Sequence, residues 1–184
     1  MDKTMHKWSL VSSEDPVLRR HAAPVGKVTR ETMEIVREMI DIMHENYGIG
    51  LAAPQIGISQ QILVVDIGEG AHVLINPKIL RAEGEQFGVE GCLSLPRLEG
   101  MVKRAQKVVV KGLDRHGRPI KMKGEGLMAR VLQHEIDHLH GILFIDRAEP
   151  GTLRIITDEE LQARQARHDE LHEKVAEPVL AGGD

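Results

Sequence analysis

Leu127-Met128-Ala129-Arg130-Val131-Leu132-Gln133-His134-Glu135-Ile136-Asp137-His138-Leu139 is the stretch on which the reading of this chain turns. Leu127, Val131, Leu132 and Leu139 recur at helical spacing, and Gly141 stands where such a helix would stop. The segment holds an HExxH pattern. On a helix, His134 and His138 face the same way, so both imidazoles reach one ion. Glu135, beside the first histidine, can take a proton from a water activated by that ion. The bland alternative is a helix with two solvated histidines and a surface glutamate.

The third ligand separates the possibilities. An extended motif, HExxHxxGxxH, supplies a third histidine; here Gly141 is in place but Phe144 stands where that histidine belongs. A downstream glutamate is a second route, with Glu159 and Glu160 as candidates, but they fall in an apparent capping turn. Cys92 is preferred. It is the only cysteine, so no intramolecular disulfide exists and the thiol is filler, a redox group or a ligand. A thiolate binds iron or zinc strongly. Two histidines and one thiolate leave a fourth tetrahedral position for water, as a catalytic site requires. Gly91 lets the backbone beside it come close to another group.

Outward from this segment, about Arg30 to Asn46 reads as an amphipathic helix, with Met33, Val36, Met39, Ile40 and Met43 on one side. Short Val- and Ile-rich runs follow at 62–65, 73–75, 108–110 and 120–122, separated by turns, with a hairpin at Arg115-His116-Gly117. Thr157 and Glu160 form a capping-box pattern for a charged last helix, about Asp158 to Val175, and Ala176–Asp184 reads as a loose tail. The order implies one domain over residues 1–184. Its fold class is α+β: mostly antiparallel sheets around a central helix carrying HExxH, with an N-terminal and a C-terminal helix.

The chain has 184 residues, 41 % hydrophobic and 28 % charged, as in a globular protein. Aromatics make up 2 % and the net charge is −4, so a dedicated nucleic-acid surface is not expected. No apolar run approaches the roughly 18 residues of a membrane span. The N-terminus lacks a signal-peptide pattern, so the expected location is cytoplasmic.

Gly48-Ile49-Gly50-Leu51-Ala52-Ala53-Pro54-Gln55 fits neither a P-loop nor a dinucleotide fingerprint. Its small residues would let a substrate backbone lie close, and Gln55 could donate to a developing oxyanion. Taken alone, it reads more readily as a tight turn with a satisfied surface glutamine.

Together, Gly48 to Gln55, Glu90-Gly91-Cys92-Leu93-Ser94 and Gln133 to Leu139 resemble the motifs GxGLAAPQ, EGCLS and QHExDHL of the peptide deformylase family. The likeness covers about Val11 to Arg147. It implies removal of the formyl group from the N-terminal formylmethionine of new proteins, with release of formate, through attack of metal-bound hydroxide on the formyl carbon. It implies Fe2+, which Zn2+, Ni2+ or Co2+ can replace, held by Cys92, His134 and His138. Glu135 would be the acid/base, and Gln55 and the Leu93 N–H would stabilise the oxyanion. Ile49, Gly50 and Gly91 would hold the peptide, with Ile49, Leu127, Arg130 and Val131 near the methionine pocket. Its partners would be N-formylmethionyl nascent peptides. A Glu90–Arg104 ion pair is expected behind the cysteine.

Competing readings are a metallopeptidase using Glu159 or Glu160, and a non-catalytic protein with a structural zinc. The latter would want a fourth protein ligand. Docking on the ribosome would rest on the helix from Asp158 to Val175, whose many acids weigh against it.

Overall fold

Thr29 opens the first helix, α1 (Arg30–Glu45), through a reciprocal cap. Its hydroxyl accepts from the Thr32 N–H at 3.3 Å, and the Thr32 hydroxyl accepts from the Thr29 N–H at 3.1 Å, satisfying amides that a helix start leaves unpaired. The computed structural model in which this is seen describes residues 6–163 and 165–166.

The strands are β1 (Gly50–Ala52), β2 (Ile62–Val65), β3 (His72–Glu83), β4 (Gln86–Cys92), β5 (Leu95–Arg104), β6 (Lys107–Leu113), β7 (Pro119–Glu125) and β8 (Arg154–Ile155). The second helix, α2 (Leu127–Leu139), follows β7. One sheet has the order β1-β2-β3-β6-β7, the other β4-β5-β8, and every strand pairing is antiparallel.

Side chains alternate across a strand, and here both faces of the larger sheet are covered. Leu51, Ile62, Val64 and Ile75 pack with the α1 stripe of Ile35, Val36, Met39, Ile42 and Met43. Their neighbours Ala52, Leu63, Val65 and Leu74 pack with Ala129, Leu132, Ile136 and Leu139 of α2. Double coverage explains why β2 is an unbroken apolar run buried at every position.

The expected hairpin joins β6 to β7. The Asp114 carboxylate accepts from the N–H groups of His116 and Arg118, and Gly117 takes a φ of +75°, where only glycine is unstrained. Thr157 and Glu160 cap each other as their spacing predicts, at 2.9 and 3.2 Å. Residues 158–163 and 165–166 are helical. The remainder of the helix expected to Val175, and the tail, lie outside the described residues. Among the described residues no helix is long and apolar enough to cross a membrane.

The smaller sheet is not anticipated by the sequence. Its apolar side chains do not mark a buried face: Phe87 and Val89 of β4 are exposed, and so is Ile155 of β8. The strand at 73–75 is also only the buried head of the longer β3, whose outer half is mixed in polarity and exposed except at the half-buried Ile79.

Candidate metal centre and active site

The two layers meet at Cys92. It ends β4, while His134 and His138 project from successive turns of α2. Their ligand atoms all lie within 4.8 Å of one another. His138 Nε2 is 3.2 Å from Cys92 Sγ and 3.2 Å from His134 Nε2.

His134 is aimed by its surroundings. His134 Nδ1 sits 2.9 Å from Glu90 Oε2. A carboxylate can only accept there, so Nδ1 carries the proton and the Nε2 lone pair is turned inward in the neutral ring. Phe144 stacks on His134 with ring centroids 6.3 Å apart. The position that breaks the extended motif thus supplies an aromatic wall to the first histidine. His138 is buried, with Nδ1 lacking a protein partner among the described residues.

Glu90 is the hub behind the site. It accepts from Arg104 Nε and Nη2, both at 2.9 Å, and from Arg130 Nη1 at 2.8 Å. Burial opposes its charge, but the bonds from Arg104 and His134 hold its carboxyl far below the usual range. Arg104 continues to Asp137, which also accepts from Arg147. Gln133 bonds both the N–H and the carbonyl of Ala105 at 3.0 Å, fixing α2 to the β5–β6 connection. The ion pair expected between Glu90 and Arg104 is present. Asp137 and Gln133 were in view as motif letters, but their contacts are long-range and carry no local signal.

Gln55 is equally constrained. Its Oε1 accepts from the Ala52 N–H at 2.8 Å, which turns Nε2 toward Cys92 Sγ at 3.4 Å and Ser94 Oγ at 3.3 Å. Glu135 is buried, and its Oε2 has no protein partner among the described residues. Burial pushes its carboxyl up to about 7. Burial works against charge on His134, yet the bonds to Cys92 and Glu90 raise it to about 10. Burial and the nearby His134 push His138 well down. A cation would compete for the proton these imidazoles share.

Cys92, His134, Gln55 and Glu135 face a cavity of about 580 Å³. Ile49, Gly50, Gln55, Gly91, Cys92 and Leu93 line it from the loop and β4 side, and Leu127, Arg130, Val131, His134 and Glu135 from α2. Ile49 and Leu127 are exposed and Val131 buried. Arg130 is at the cavity but its guanidinium points into the smaller sheet, donating to Val102 O at 3.0 Å as well as to Glu90. Glu160 is bound to Arg154 and the Thr157 amide, and neither it nor Glu159 joins the cluster of ligand atoms.

A family model described as Polypeptide deformylase matches residues 8–153. The chain belongs to this family. It is 48 % identical over 145 residues to the peptide deformylase of Carboxydothermus hydrogenoformans, covering 79 % of this chain and 95 % of that one. The crystal structure of peptide deformylase from Thermotoga maritima aligns with a TM-score of 0.77 and 41 % identity, over 79 % of this chain and all of that one (100 %). The peptide deformylase from Synechococcus elongatus, solved in complex with actinonin, aligns with a TM-score of 0.77 and 37 % identity, over 97 % of this chain and 94 % of that one. The resemblance read from the three motifs is therefore borne out, and the chain is an enzyme of the deformylase family.

Proposed function

We propose that this enzyme is a metal-dependent deformylase that hydrolyses the N-formyl group of formylmethionyl nascent peptides, giving formate and a free N-terminus. The observation that carries this reading is the convergence of one thiol and two imidazoles, with Cys92 and His134 lining one cavity together with Gln55 and Glu135. A tetrahedral ion with bonds of about 2.0 Å to nitrogen and 2.3 Å to sulfur has ligand–ligand edges of roughly 3.3–3.6 Å. His138 Nε2 lies 3.2 Å from each of the other two donors, close to that requirement, all three donors fall within 4.8 Å of one another, and the thiolate favours ferrous iron or zinc over harder cations. Cys92, His134 and His138 are the ligands, ferrous iron the native ion, and zinc, nickel or cobalt its substitutes. When bound, the cation supplies Lewis acidity, polarising the formyl carbonyl and lowering the pKa of water.

The side chains divide the remaining work. Gln55 Nε2, held by the anchored Oε1, donates to the oxyanion as the formyl carbon becomes tetrahedral, together with the Leu93 N–H. Glu135 takes the proton of the attacking water and delivers it to the leaving nitrogen as the C–N bond breaks. A carboxyl near neutrality suits both halves of that transfer. Ile49, Gly50 and Gly91 hold the peptide as an added strand, and Leu127 and Val131 form part of the methionine pocket. Arg130 contributes to that wall through its stem while its head braces β4. The whole chain acts as one domain with α2 as its central helix, in the cytoplasm, on chains emerging from the ribosome.

Formate release from a formyl-Met peptide, with iron loaded without oxygen, tests the proposal. Wild type should turn over and Cys92→Ala should not. Equal rates would remove Cys92 from the ligand set, and no release by wild type would defeat the reading.

A further inference from the structure

A third histidine, His140, caps the end of α2. It is exposed, and its Nδ1 lies 2.8 Å from Ile136 O. A carbonyl can only accept there, so Nδ1 carries the proton and Nε2 holds the lone pair in the neutral ring. Metal-binding histidines are commonly fixed in this way, through the nitrogen that does not bind. The ring beside it belongs to His21, which is also exposed. The two centroids are 5.1 Å apart and the planes cross at 73°. For His134 and His138, whose Nε2 atoms are 3.2 Å apart, the same quantities are 5.0 Å and 67°. The outer pair therefore nearly repeats the ring arrangement of the inner one. Among the described residues, neither His21 nor the Nε2 of His140 has a hydrogen-bond partner.

The backbone on both sides is pinned. The Ala22 N–H donates to Leu139 O at 2.9 Å, and the Ala23 N–H to Ser59 O at 3.0 Å. Gln61 Nε2 donates to Ala22 O at 3.2 Å. The two rings are thus carried by segments already held together, so little ordering remains to be done when both bind one ion. The setting also suits a cation. The C-terminal end of a helix carries partial negative charge, and Arg19 is paired with Asp146. Arg20 is exposed, so water weakens its repulsion.

We propose that His21 and His140 form a second site, for a divalent transition cation, that clips the N-terminal segment to the end of α2. Neither residue lines the catalytic cavity, and the site does not depend on the deformylase reading. Two imidazoles select Zn2+, Ni2+ or Cu2+ over Mg2+ and Ca2+, with water completing the coordination.

Zinc-loaded enzyme is titrated with further Zn2+ by calorimetry, while histidine-ring 1H–15N spectra follow each addition. The His21 and His140 rings should move together as a further equivalent binds. His21→Ala and His140→Ala each leave one imidazole in place of a chelating pair, so the affinity of that step should fall by at least about tenfold. His116→Ala removes an exposed histidine from the β6–β7 hairpin and should leave the step unchanged. Mg2+ in place of Zn2+ should move neither ring. Rings of His21 and His140 that stay still under Zn2+, an equal response to Mg2+, or a step weakened no more by their removal than by that of His116 would overturn the site.

Discussion

Replacing Glu90 by glutamine changes no volume and removes one charge, so its effect isolates electrostatics. Both carboxylate oxygens of Glu90 face only donors. Oε1 receives Arg104 Nε and Arg130 Nη1, and Oε2 receives Arg104 Nη2 and His134 Nδ1. An amide offers one oxygen and one NH2 group, so either rotamer sets an N–H against a donor. Arg104 would keep Asp137 as a counter-ion, but Arg130 would keep only neutral acceptors, including the carbonyls of Gly88 and Val102. Breaking a buried pair by removing one partner costs about 3–5 kcal/mol. In a chain of this size that is a fall in Tm of roughly 6–20 °C. The same change frees the His134 ring, and losing such a partner weakens cation affinity by about 10–100-fold. Thermal unfolding and competition with a chromogenic chelator measure the two effects separately. If Glu90→Gln melts within about 2 °C of wild type and binds the cation within about twofold, the hub does not act as described.

Glu135→Gln should retain the cation while lowering kcat by about 10²–10⁴-fold, the usual range for a lost general acid/base; turnover equal to wild type would contradict its role. Gly50→Ala places a methyl 2.7 Å from Val131 Cγ1 and 2.9 Å from Glu135 Cδ, so activity should fall far more than stability, as read by kcat/KM beside a urea titration. Asp66 is held below the usual carboxylate range because the N–H of Gly68, His44 and the N–H of Gly70 outweigh its burial. Its contribution is therefore fully present above its unfolded pKa, about 4, and is lost as pH falls below that value. The stability gap between wild type and Asp66→Asn should accordingly narrow from pH 6 to pH 3, and a gap constant with pH would exclude this linkage.

What was legible in the chain follows the range of the interactions. The helix holding His134 and His138 announces itself because i and i+4 are local, and the doubly covered β2 because its apolar run is uninterrupted. β4 and β5 carry no such mark. Gly88, Gly91 and Gly100 dilute their patterns, and several of their apolar side chains face outward toward the cavity or solvent. Cys92 could be read as a ligand only by elimination or by likeness, since nothing local to 90–94 places it opposite α2. The role of Phe144 was hidden for a related reason: its contact with His134 depends on the chain turning back through Gly141, whose added Cβ would meet Arg19 backbone atoms at 2.7 Å.

Cys92 and the histidine pair come from different layers, roughly 40 residues apart in the chain. An ion joining them is thus also a cross-link, closing a loop over β5, β6 and β7 much as a disulfide would. It would bind only once the smaller sheet had docked on α2, so occupancy would report that the docking is complete. A cation present at a thousand times its Kd would favour the docked form by about 4 kcal/mol. Stripping it should therefore loosen β4 and β5 first, seen as faster amide exchange there while β2 and β3 stay protected. In this chain the ion that equips the site for chemistry would also hold its two halves together.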